Sequence, residues 1–73
     1  MDTIDQHQNC IEILEKIQSE EMTKRHLTES YFNVKNHFPD LADKYISQIN
    51  EITEIIYKLQ KNYKSCLRLL TNK

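Results

Sequence analysis

The chain is expected to be all-α: two long amphipathic helices folded into an antiparallel helical hairpin of coiled-coil type. Three features predict this. Glycine is absent and proline occurs once, apolar residues recur at three-four spacing, and the two ends carry opposite charge. Without glycine, the tight turns and bulges of β-rich folds lose the residue that builds them, so helix is the default. One domain is expected over residues 1–73, because a chain this short can enclose only one small core.

The first helix is expected over about residues 3–36, where Thr3 and Gln6 have capping-box spacing. Its inward positions are Cys10, Ile13, Ile17, Leu27, Tyr31, Val34 and Phe38, which follow the three-four rule of a helix face. Glu20 and Lys24 take the two positions between Ile17 and Leu27, so this stripe is interrupted.

A break is expected at His37-Phe38-Pro39. Proline disfavours helical geometry in the residue before it, yet its fixed φ suits the first position of a new helix. Asp40 and Asp43 then lie in the first turn, where the helix dipole favours negative charge. The second helix is expected over about 39–71. Its inward positions are Ala42, Tyr45, Ile49, Ile52, Ile56, Leu59, Tyr63, Cys66 and Leu70, without a polar interruption. Ile46, Ile55, Leu67 and Leu69 widen that stripe on both sides.

If the chain folds back at Phe38, residues whose numbers total about 76 face one another. Cys10 then meets Cys66, Ile17 meets Leu59, and Val34 meets Ala42. The centre of this register coincides with the single proline. Charge agrees: residues 1–22 carry six acids and one base, whereas residues 55–73 carry five bases and no acid. Helix dipoles explain part of that asymmetry, and an antiparallel dimer of straight rods would also satisfy it. Against a rod stands the proline, which costs about 3 kcal/mol inside a helix.

The same register sets Glu20 opposite Ile56 and Lys24 opposite Ile52. The polar middle of the first helix therefore faces the most apolar stretch of the second. A cluster of branched side chains left half wet forfeits several kcal/mol, since each is worth about 1.5–3 kcal/mol when buried. Glu20 and Lys24 are also spaced for an intrahelical ion pair, which would make this a solvated stretch. The sequence thus points to a helical bundle with a second copy or with other coiled-coil subunits. The expected partner-binding residues are Ile17, Leu27, Tyr31, Ile49, Ile52, Ile55, Ile56 and Leu59, with Ile52→Glu or Ile56→Glu expected to abolish association.

No catalytic, cofactor-binding or metal site is expected. A glycine-rich phosphate loop is impossible, and the three histidines are scattered. His7 and Cys10 stand one turn apart, but no matching second pair completes a zinc site. Cys10 and Cys66 could approach each other, and buried free thiols are the expected state. Tyr31, Tyr45 and Tyr63 are expected as core residues with hydroxyls at the rim. Ser47-Gln48 resembles the start of the Ser-Gln-Glu-Leu-Asp signature of small hairpin phosphatases of the sporulation phosphorelay. It continues Ile49-Asn50-Glu51, which lacks the aspartate that chemistry needs.

Lys58, Lys61, Lys64 and Arg68 make the end of the second helix basic, a possible contact for phosphates or an acidic partner. The net charge of −1 and the acidic first helix argue against nucleic acid. No apolar run approaches the roughly 20 residues of a membrane span, and the acidic start lacks the features of a signal peptide. An intracellular site, cytoplasmic or nuclear, is expected. The function expected is that of a noncatalytic interaction subunit or adaptor. The alternative is a small homodimeric regulator that inhibits a larger protein or grips nucleic acid through its basic end. No small-molecule substrate is expected for either.

Overall fold

The computed structural model describes residues 2–71. Two helices, α1 (Asp2–Val34) and α2 (Pro39–Thr71), pack along their whole length as an antiparallel pair. The pair measures 56 × 14 × 12 Å. Each helix has 33 residues, so the ends meet without overhang. The expected boundaries hold to within two residues. The proposed Thr3 cap concerns a side chain outside those described.

The turn forms without glycine, and no described residue has positive φ. The Lys35 amide still donates helically to the Tyr31 carbonyl at 2.9 Å. The Val34 carbonyl then accepts from both His37 (3.1 Å) and Phe38 (2.7 Å), which tightens the chain into a turn. That tightening ends α1 at Val34 instead of near Asn36. Phe38 opens α2, because its carbonyl accepts from the Ala42 amide at 3.0 Å, and Pro39 sits in the first helical position where no amide is required.

The seam follows the sequence pattern closely. Cys10, Ile17, Ala42, Ile56 and Cys66 are buried, and every other expected inward position from Ile13 to Leu70 is half-buried, with Phe38 the exception at the turn. The same stripe stays inside from end to end. Small side chains occupy the seam at both ends: the two cysteines at the open end and Ala42 near the turn. Threonines on both helices return their hydroxyls to the backbone, as in Thr28 to Lys24 at 2.8 Å and Thr53 to Ile49 at 2.7 Å. They therefore lie flat on the helix surface and ask nothing of a partner.

The cysteines are not free thiols. Cys10 and Cys66 form a disulfide with their Cα atoms 5.7 Å apart, inside the range that a bridge requires. The register that sets these residues opposite one another brings them within reach, and the small cysteine side chain lets the helices close up there.

Candidate docking surface

The hairpin leaves two long flanks beside its seam. On α1, one flank is built by the positions just outside the inward residues, at Leu14, Glu21 and Thr28, backed by Ile11, Gln18, Arg25 and Phe32. On α2, the corresponding positions are Ile46, Thr53, Gln60 and Leu67, backed by Asp43, Asn50, Tyr57 and Lys64. Seven-residue spacing keeps each set on one side. A groove of about 700 Å³ runs along this flank, lined by Glu21, Arg25, Phe32, Thr53, Tyr57 and Gln60, with buried Ile56 as its floor.

The groove lies where the sequence places its mismatch. Lys24 is half-buried and lines the groove at this level, where its ammonium needs water. At the rim, Phe32 is 58% exposed and Tyr57 59% exposed. Tyr31 packs edge-on against Phe32, with ring centroids 5.3 Å apart. Lys35 and Lys61 place their ammonium groups 4.9 Å from the ring centres of Phe32 and Tyr57 respectively. These stacked cations help hold each ring in place.

The opposite flank differs. It carries Ile55 at 44% exposure, with Leu41 and Leu69 on the same edge of α2. The α1 side supplies Asn9, Glu12 and Lys16 around a second, smaller groove of about 390 Å³. Apolar surface there comes from α2 and meets polar surface from α1.

Of the eight expected partner-binding residues, Ile55 is exposed; the other seven lie on the seam between the hairpin's own helices, with Ile17 and Ile56 buried. Ile56, at 8% exposure, is a core residue of this chain and not a free anchor. Ile56→Glu would therefore disrupt the hairpin before it tested any partner. Sequence reasoning overlooked Phe32 and Tyr57. Both sit one step outside the seam, and the signal that could have found them is an aromatic at matching outer positions of both helices. Lys58, Lys61, Lys64 and Arg68 are all exposed on the outward side of α2, away from the seam.

Among the described residues, no group of three or more His, Cys, Asp or Glu side chains could hold a metal ion. No described helix is long and apolar enough to cross a membrane. The arrangement offers apolar surface and a groove with a charged rim, a combination suited to packing against another helical surface. No protein-family model, no curated protein and no solved structure matches this chain.

Proposed function

We propose that this chain is a noncatalytic interaction module that docks with other helical surfaces, its own or those of other proteins, through the apolar flanks of the hairpin. The observation that carries this reading is surplus surface. The chain exposes 5944 Å², whereas a compact protein of this mass exposes about 4,800 Å². The surplus of roughly 1,200 Å² exceeds the ~800 Å² that each partner buries in an ordinary stable interface. Much of it is apolar, since Ile11, Met22, Phe32, Ile55, Tyr57 and Leu69 are each more than 40% exposed.

The bridge bears on where such a module works. Disulfides persist in oxidising compartments, so a setting of that kind fits Cys10–Cys66 better than the reducing cytoplasm or nucleus expected from the sequence. A second use of the surface rests on the outward stripe of Lys61, Lys64 and Arg68, which could meet an acidic partner. That contact would collapse between low and moderate salt, whereas apolar docking would persist.

The test replaces apolar surface on both flanks while leaving the seam intact. In the cells that make the protein, a variant carrying Phe32→Ser, Tyr57→Ser, Ile55→Ser and Leu69→Ser is expected to shift from a larger complex to the size of the free chain. If the wild-type chain already runs as a free monomer in a native extract, or if the variant stays in the same complex, the reading is wrong.

A further inference from the structure

We infer that the groove flank is the face of a homodimer, with a second copy of this chain as its occupant. This rests on the interaction-module reading and deepens it by naming the partner and the side. The argument is self-complementarity. Two hairpins stacked on this flank about a two-fold axis along their length, turns at the same end, set α1 of one copy against α2 of the other. Such stacking extends the antiparallel neighbour pattern of the hairpin itself into a four-helix bundle. The acidic start of α1 again lies beside the basic end of an α2, now that of the second copy.

The pairing can be followed along the flank. At the open end, Ile11 stands level with Leu67 of the second copy. Near the turn, Phe32 stands level with Ile46 of the second copy, and Lys35 with its Asp43. Between them lie Leu14 with Lys64, Gln18 with Gln60, Glu21 with Tyr57, Arg25 with Thr53 and Thr28 with Asn50. Two apolar pairs and one pair of unlike charges result, Leu14 is the one aliphatic residue that meets a charge, and no like charges are opposed. The two-fold operation doubles each contact, so every favourable pairing occurs twice. The two grooves face each other and leave room for water at the Lys24 ammonium, while Phe32 is covered by Ile46 and Tyr57 lies beside Glu21 of the second copy.

The same stacking on the opposite flank fails the same comparison. Lys16 would stand level with Lys58 of the second copy, Ile55 with its Ser19 and Leu41 with its Asn33. Like charges and apolar-to-polar contacts would cost energy where the groove flank gains it. The surplus area supports one ordinary interface per chain, and the pairing pattern assigns it to the groove side.

Sedimentation equilibrium of the purified, bridged chain tests this. A mass of twice 8.8 kDa is expected for the wild type. Phe32→Ser with Tyr57→Ser should raise the dissociation constant at least tenfold, with helicity and the bridge retained. Ile55→Ser with Leu69→Ser should leave it within threefold of wild type. Should the groove-flank variant lose helicity, dilution of the wild type followed by NMR replaces it: the ring signals of Phe32 and Tyr57 are expected to move as the dimer dissociates, while the methyl signals of Ile55 and Leu69 stay. A monomer at millimolar concentration, a larger assembly, or dissociation driven by the opposite-flank variant alone overturns the proposal. A monomeric wild-type chain that still enters a larger complex in native extract would sink the homodimer and leave the interaction module standing.

Discussion

At the turn, α1 and α2 are held together by four residues of chain, 35–38; at the open end they are held by one covalent bond between residues separated by 56 positions. The difference follows from chain entropy. Closing a loop of that length costs about 2 kcal/mol more than closing one of four residues. Near the turn, modest packing suffices: Ala42 is buried, while Val34, Tyr31 and Tyr45 are half-buried around it. Small residues at both ends bring the helices close, but only the distant end adds a bond. A two-helix protein lacks the third element that would clamp an open end by packing, and the bridge supplies that constraint.

The comparison is broken most severely by removing the bridge. Cys10→Ser with Cys66→Ser is expected to cost about 4 kcal/mol, the loop-closure entropy returned to the unfolded chain. Thermal unfolding followed by circular dichroism should show a melting temperature lower by tens of degrees at equal protein concentration. A melt within a few degrees of wild type would mean that packing alone holds the open end. Next in size is Ala42→Leu, which forces a branched side chain into the closest approach near the turn. A loss of about 1–3 kcal/mol is expected, read from the denaturant midpoint with the bridge intact. An unchanged midpoint would show that the helices can separate there without penalty.

The smallest effect is expected for Pro39→Ala, at about 0.4–1 kcal/mol. Proline restricts the unfolded chain and already has the φ that α2 requires, so its loss frees the unfolded state more than it harms the folded one. The melting temperature should drop by a few degrees. A rise would show instead that Pro39 strains the turn. Against the double serine variant, this substitution sharpens the contrast: connectivity at the turn tolerates chemical change that the open end does not.

Much of this architecture could be read in advance, for reasons tied to particular residues. The three-four spacing from Cys10 to Val34 and from Ala42 to Leu70 names the stripe that the structure encloses. Pro39 marks the break, because its ring disfavours helical geometry at Phe38. The facing of Cys10 and Cys66 follows from folding about that break. The bridge did not follow, because a register good to a few residues cannot place two Cα atoms within about 7 Å. The division of the isoleucines did follow: the spacing sets Ile56 inward and Ile55 beside the stripe, and they are 8% and 44% exposed. What the spacing did not give is how completely a two-helix pair would enclose Ile56.

Sequence alone determined that this protein is helical, where it turns, and which stripe lies inside, since these depend on local sterics and on the period of apolar residues along the chain. The tertiary structure decided how much of that stripe the hairpin could enclose by itself. It buried Ile56, joined the cysteines, and left Phe32 and Tyr57 outside beside a groove at Lys24. The reason is geometric. Burial and bridging are set by the distance and relative rotation of two helices, quantities that belong to the pair and to neither sequence segment alone.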